Sequence, residues 1–355
     1  MHTRSILNDQ QKAALRRALL GRKIVLCFGA GVDSTAAIVA LRAADLVPDL
    51  ITMADTGGEK PETWEHVSRM NSLLASWDWP PVTIVKKKTL PTTPYDDLYG
   101  NCFENETLPS LAFGMKSCSI KWKQDPQDQF IMGVKVGANK HAPHPLWIDA
   151  KREKTRIVKL IGYDCGRADK RRSAKSVPAG APFDYSYPLQ LIGWSRADCV
   201  TAIERAIGRD MVPVKSACFY CPASKEWELY WLAAHHPDML ERALQMEYRA
   251  LTGRHSRFDA LEFGATWEDL MRNHDRFPST ATCVGLGRSF SWNQWARVNQ
   301  VVDEQFRVLR DDFSRTRFLS QSVSLQRIDN AQDSRQKAKD QSPRRKVIPL
   351  HLEAA

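Results

Sequence analysis

Short apolar runs alternate along this chain with longer stretches of helical spacing, and the alternation predicts the order of its elements. Residues 8–20 read as an amphipathic helix, and Ile24 to Phe28 form an apolar run short enough for a buried strand. Ala36, Ile38, Val39 and Leu41 follow at helical spacing, Pro48 marks the exit, and Leu50 to Met53 read as a second buried strand. Strand, helix and strand over so short a span imply a right-handed βαβ crossover and hence a parallel sheet.

The pattern continues in the same manner. Pro61 with Glu62 behind it opens a helix that carries Val67, Met70, Leu73 and Leu74 and stops before Pro80 and Pro81. Val82 to Val85 read as a third strand, residues 89–112 as a long loop, and Pro126 to Met132 as a helix. Residues 133–155 read as irregular and basic, Ile157 to Ile161 as a fourth strand, and 195–207 as a helix with Ser195 as its N-cap. Helices are expected near 224–235, 238–251, 267–273 and 294–310. Beyond about residue 320 the chain is rich in Gln, Ser, Lys and Arg and is expected to be disordered. The expected organisation is an N-terminal helix (1–20), a nucleotide-binding α/β domain (21–212), a helical cysteine-containing region (213–312) and a basic tail (313–355).

Composition changes this picture little. The 355 residues are 43% hydrophobic and 26% charged, as in an ordinary globular chain. No apolar run approaches the roughly 18 residues that cross a bilayer, and the polar N-terminus lacks the apolar core of a signal peptide. The expectation is therefore a cytoplasmic protein with no membrane partner. The net charge is +10, and nine Lys/Arg against four Asp/Glu from Arg315 onward supply half of it. Two readings stay open, plain solubility and attraction to an anionic partner such as nucleic acid or a nucleotide.

Candidate chemistry begins at the turn Gly29-Ala30-Gly31, which leads from a strand into the helix start Asp33-Ser34-Thr35. Such a turn gathers free backbone N–H groups and the positive end of a helix dipole, which makes a phosphate seat. Ser34 stands where a dinucleotide fingerprint needs its third Gly, and no Gly-Lys-Ser/Thr follows to make a Walker A loop. Asp55-Thr56-Gly57 lies at the carboxyl end of the second strand, where open α/β sheets bind ligands. Of the eight cysteines, only Cys218 and Cys221 have C-x-x-C spacing, which suits zinc, an iron–sulfur cluster or a redox dithiol. Cys27 reads as a core residue, Trp227 and Trp231 as core aromatics, and His235-His236 as a structural helix end.

As a series these segments resemble the phosphoadenosine phosphosulfate (PAPS) reductase-like family of PP-loop ATP pyrophosphatases. Gly29-Ala30-Gly31-Val32-Asp33-Ser34-Thr35 resembles the PP-loop Ser-Gly-Gly-x-Asp-Ser-Thr, with Gly29 in place of Ser and Ala30 in place of the first Gly. Asp55-Thr56-Gly57 with Pro61-Glu62-Thr63 resembles that family's Asp-Thr-Gly…Pro-Glu-Thr segment. Cys118 with Lys121, Lys123 and Pro126 resembles its Cys-x-x-x-Lys-x-x-Pro, Gly162 and Arg171 match the ends of its Gly…Arg segment, and Tyr187-Pro188-Leu189 with Trp194 to Asp198 resembles its Pro-Leu…Trp-Thr-x-x-Asp. The Glu-Cys-Gly-x-His motif of true PAPS reductases is absent, and Asp164 and Arg167 stand where that Gly…Arg segment holds Arg and Glu.

The resemblance implies a doubly wound parallel α/β sheet of the PP-loop (adenine nucleotide alpha-hydrolase) type with a helical cysteine-containing region. It implies ATP or PAPS with Mg bound at Gly29, Ala30, Gly31, Asp33, Ser34, Thr35, Asp55, Thr56, Gly57 and Gly162. Lys121, Lys123 and Arg171 become the cations that neutralise departing phosphates. Cys118, Cys218, Cys221 and Cys283 become the ligands of zinc or an iron–sulfur cluster. The implied activity is adenylation of a substrate with pyrophosphate release, for sulfur transfer to a nucleic acid from a sulfur donor. A PAPS or adenylylsulfate reductase using a thiol donor, and a binding module without turnover, are the alternatives.

Overall fold

The computed structural model describes residues 6–175, 180–252, 285–288 and 290–341, the side chains of 331–341 excepted. Five strands, β1 (Lys23–Cys27), β2 (Leu50–Asp55), β3 (Val82–Lys86), β4 (Ile157–Ile161) and β5 (Asp184–Ser186), form one sheet in the order β3-β2-β1-β4-β5. Every pairing is parallel. The order reverses between β1 and β4, so the sheet is doubly wound with its switch point beside β1, at the carboxyl end of which the glycine turn begins.

Alternation along β1 shows why both faces are covered. Ile24, Leu26 and Phe28 enter one core and Val25 enters the other. The first core gathers α1 (Asp9–Leu19), α2 (Val32–Ala43), α3 (Pro61–Ser76) and, through Cys199, Ala202 and Ile203, the helix Arg196–Ile207. On the second face α5 (Asp125–Met132) and α6 (Pro145–Arg152) bring Ile131, Leu146 and Ala150 against Val25, Leu50 and Ile157. Local signals place these helices: Asn8 makes a capping box with Gln11, Pro61 opens α3, and the Ser195 side chain accepts from the Asp198 N–H.

Several elements differ from the sequence pattern. The loop 89–112 contains α4 (Leu98–Glu104), capped by Asp97, and the basic stretch 133–155 contains α6. The basic cluster after Gly166 is α7 (Arg167–Ser173), followed by α8 (Arg196–Ile207), α9 (Glu226–His235) and α10 (Pro237–Thr252). The helix expected over 294–310 is only α11 (Trp292–Val298), because Gln300 turns into the left-handed region (φ +52°) and Val302 pairs with Val308. Of the tail expected to be disordered, the described part is helical as α12 (Asp312–Gln341), with Phe318, Ser314 and Ser322 buried and the Ser322 hydroxyl donating to Trp227 O, while 342–355 lie outside the described residues. Trp227 and Trp231 are half-buried, not core, and Trp231 lies against His235. The helix expected near 267–273 lies outside the described residues. The chain packs as two compact units, Met1–Ala223 with Gln245–Trp292, and Ser224–Leu244 with Asn293–Ala355. Cys218 and Cys221 thus belong with the sheet. No described helix is long and apolar enough to cross a membrane.

One buried charge sits under the sheet. Lys159, mid-strand in β4 and 2% exposed, pairs with Asp128 of α5 and lies 5.0 Å from the Phe183 ring centre. Beside it Thr52 donates to Gln127 (2.6 Å). Breaking a buried ion pair leaves an uncompensated charge, so Asp128→Asn is expected to cost about 3–5 kcal/mol in urea unfolding. The double variant Asp128→Leu/Lys159→Met is expected to recover most of that loss, and a single-variant cost under about 1 kcal/mol would contradict the pairing.

Candidate functional site

At the end of β1 the chain turns through Gly29, which is exposed, and Ala30, which is fully buried with φ +51°. Alanine pays for a left-handed conformation that glycine adopts freely. The N–H groups of Gly29 and Ala30 have no partner among the described residues, whereas the Gly31 N–H donates to Ser34 Oγ (3.2 Å). Together with the first turn of α2 they form an open cradle of donors. Asp33 in that turn accepts from Arg196 (2.7 Å) through Oδ2, while its Oδ1 is buried and unpartnered among the described residues. Burial raises the Asp33 pKa, and the Arg196 guanidinium partly offsets this. Arg196 is the first residue of α8, so the Trp194–Asp198 segment serves to aim a cation at the cradle.

Other residues expected to touch nucleotide are occupied by protein. Thr35 is fully buried and its hydroxyl lies 2.8 Å from His66 Nε2. Thr56, also fully buried, donates its hydroxyl to Glu59 (2.7 Å). Gly162 is a packing glycine: a Cβ there would lie 2.8 Å from the Ser34 N and 2.9 Å from the Asp33 carbonyl carbon. Gly57 (φ +74°) has the Asp97 side chain against it and donates its N–H to Asp55 (2.8 Å). The groups left open to a ligand are therefore the N–H groups of Gly29 and Ala30, the first turn of α2 and Asp33.

The C-x-x-C segment crosses both glycine turns. Ser216 Oγ lies where a Cβ on Gly31 would be only 2.9 Å away. Two residues on, Cys218 Sγ is 3.2 Å from Thr56 Oγ1, and the Phe219 N–H donates to Gly58 O (2.9 Å). Tyr220 presses on Gly58 so closely that a Cβ there would lie 2.7 Å from its hydroxyl. That hydroxyl is buried and unpartnered among the described residues. Residues 216–220 thus form a strap over the carboxyl ends of β1 and β2. Ser216, Tyr220 and His66 escaped the sequence pattern, because their partners are far away in the chain, and Arg196 was read only as part of the Trp194–Asp198 segment; only the glycines at 31 and 58 hinted at close neighbours.

Lys123 points into this strap. It lies on a π-type turn, Ile120–Gln124, of the kind that recurs at functional sites. Its ammonium faces Cys218, Glu59, Cys221 and Cys118, and their charges hold its pKa above the usual lysine value. Burial pushes the Cys218 thiol up to about 11 despite that ammonium, and it raises Cys221 as well. Lys121 and Arg171 instead face solvent, so the structure separates the three cations that the sequence grouped. Among the described residues no three Cys, His, Asp or Glu side chains form a group that could hold a metal ion, and Cys283 lies outside the described residues. The thiols suit zinc or a cluster by donor chemistry but not by their placement here.

No protein-family profile matches the sequence, and none of the curated proteins does. Among solved structures, the chain is similar to PAPS reductase from Candida auris in its phosphate complex, at 13% identity and a TM-score of 0.36, over 59% of this chain and 88% of that one. It is also similar to the U34-tRNA thiolase NcsA from Methanococcus maripaludis with its 4Fe–4S cluster, at 13% identity and a TM-score of 0.35, over 66% of this chain and 74% of that one.

The His66–Thr35 contact yields a pH test. Burial, aided by Arg69, pushes the His66 pKa down to about 4, below the unfolded value of about 6.5. The unfolded chain therefore binds more protons between those values, and stability falls as pH drops from about 6.5 towards 4. Urea midpoints are expected to decline over that range in the wild type and to decline less in His66→Gln; parallel curves would contradict a buried neutral His66.

Proposed function

We propose that this protein is a PP-loop enzyme that binds an adenine nucleotide at Gly29–Asp33 and adenylates a substrate with release of pyrophosphate. One observation supports the reading: the strap 216–220 lies against both glycine turns, with Ser216 at Gly31 and Cys218 beside Thr56, so the candidate phosphate seat has a thiol-bearing segment as its neighbour. The backbone of 29–31 and the first turn of α2 would hold the phosphates, with Asp33 beside the accompanying Mg. ATP bound there supplies an activated α-phosphorus. An acceptor oxygen attacks it, a new O–P bond forms, and the bond to pyrophosphate breaks. Preorganised backbone donors at the cradle stabilise the charge that develops on the leaving group. Arg196 holds the Asp33 carboxylate in place.

We further propose that the thiols at Cys118, Cys218 and Cys221, with Cys283, handle sulfur at this site, the sulfur arriving from a separate donor. Lys123 is the cation available to a thiolate formed there. Because the thiols do not converge on a metal position here, no step is routed through a metal; iron, sulfide and zinc analysis of the purified protein decides whether one is held. The reductase alternative lacks its catalytic Cys motif.

The test follows ATP consumption by the full chain with candidate acceptors. AMP and pyrophosphate are expected in equal amounts, and Asp33→Asn should lower kcat/KM by about 100-fold or more. Gly58→Ala, whose methyl collides with Tyr220, should both slow turnover and speed labelling of Cys218 by a thiol reagent. Release of ADP and phosphate, silence with every acceptor, or sulfite release from PAPS would each contradict the proposal.

A further inference from the structure

The loop at the end of β1 offers backbone donors to a phosphate but no side-chain hydroxyl of its own. Gly29, Ala30 and Gly31 carry none. In the first turn of α2 the Ser34 hydroxyl donates to Gly31 O (3.0 Å) and accepts from the Gly31 N–H (3.2 Å), and the Thr35 hydroxyl lies 2.8 Å from His66. Gly31 is the N-cap of α2 and makes no side-chain cap. An N-cap side chain ordinarily carries an oxygen to this point. Here the oxygen comes from a distant part of the chain. Ser216 Oγ lies 2.9 Å from where a Cβ of Gly31 would stand, and Ser216 Cβ lies 3.9 Å from the same point. The hydroxyl is the nearer atom, so it points at the loop.

The rest of the strap is fastened to protein. Cys218, Phe219 and Tyr220 are buried, and the Phe219 N–H donates to Gly58 O (2.9 Å). The Lys215 ammonium donates to Ala223 O (3.2 Å), which closes the segment across the C-x-x-C pair. Ser216 differs: it is half-buried, and its hydroxyl has no hydrogen-bond partner among the described residues. Its neighbours at the loop are the equally unpartnered N–H groups of Gly29 and Ala30. Those N–H groups can only donate, and a hydroxyl beside them completes a donor set for an oxyanion. A solvent-facing serine would not need to lie so close to Gly31, and a serine serving only as packing would not keep its hydroxyl unbonded and accessible.

We infer that Ser216 is a phosphate-binding residue of this site: its hydroxyl donates to a phosphoryl oxygen held at 29–31, and the bound phosphate thereby fastens the strap that carries Cys218 and Cys221. Phosphate occupancy then regulates access to the thiols, through a residue that belongs to the thiol segment and not to the loop. The inference rests on the proposed function for the nucleotide that delivers the phosphate; the contact itself is tested with inorganic pyrophosphate.

The experiment titrates the full chain with pyrophosphate and with ATP, each with Mg, and with adenosine, by calorimetry. A hydrogen bond to a charged group sets the scale, so Ser216→Ala should weaken pyrophosphate and ATP binding by about tenfold or more. Adenosine binding should stay within about twofold, since adenosine brings no phosphate. Ser216→Thr keeps the hydroxyl and should stay within about threefold of the wild type. Val214→Ala, on the same segment but exposed, should leave all three ligands unchanged. In parallel, saturating pyrophosphate should slow labelling of Cys218 and Cys221 by a thiol reagent in the wild type and in Ser216→Thr, but not in Ser216→Ala. Equal weakening of ATP and adenosine in Ser216→Ala would overturn the inference, and so would a loss in Ser216→Thr as large as in Ser216→Ala. No pyrophosphate binding by the wild type, or labelling that pyrophosphate leaves unchanged, would overturn it too. Ser216-dependent pyrophosphate binding in a chain that forms no AMP from ATP would instead refute the proposed function and leave the contact standing. Formation of AMP and pyrophosphate with undiminished ATP affinity in Ser216→Ala would do the reverse.

Discussion

The contact between the strap 216–220 and the two glycine turns is the interaction on which the site depends. Gly58 has no room for a side chain because the Tyr220 ring occupies the space, and a Cβ on Gly31 would press on Ser216 Oγ at 2.9 Å. A backbone hydrogen bond from Phe219 to Gly58 and the approach of Cys218 to Thr56 fix the register of the strap. Without it, the cradle at the end of β1 is one βα turn among those of any doubly wound sheet. With it, the carboxyl ends of β1 and β2 are joined to the cysteine segment by a rigid bridge, and a change at either end reaches the other through packed atoms.

Charge placement follows from that bridge. Lys123 lies inward, facing Glu59 and the thiols, while Lys121, two residues before it, remains in solvent. Both lysines sit on the π-type turn, on either side of the buried Trp122. Asp33 is held the same way from the other side, by a cation at the start of α8. The site thus sets fixed charges from α2, α8 and the 120–124 turn around an opening whose free donors are backbone N–H groups.

Much of the fold was legible because its strands are apolar runs between glycine and proline signals. β1 to β4 and helices α2, α3 and α8 follow from period and caps alone. β5 did not, since Asp184-Tyr185-Ser186 has no apolar run and joins the sheet through Ser186, Tyr185 and Asp184 pairing with β4. The helix α12 was hidden for the opposite reason. Its Gln, Arg and Lys residues favour helix, but no continuous apolar stripe announces a buried face; the anchors are Phe318 and two serines. At the site, the motif residues were legible and their roles less so: Thr35, Thr56 and Gly162 hold the protein to itself, and the strap joins residues some 160 positions apart. Sequence spacing carries no signal for such contacts.

On the proposed reading, the loop 29–35 and the strap 216–221 act as one mechanical unit. Amide hydrogen exchange with and without bound ATP tests it most directly. Bound nucleotide is expected to slow exchange at 29–35 and, in step, at 216–221 and 56–59. Protection confined to 29–35, with the strap exchanging as before, would contradict it.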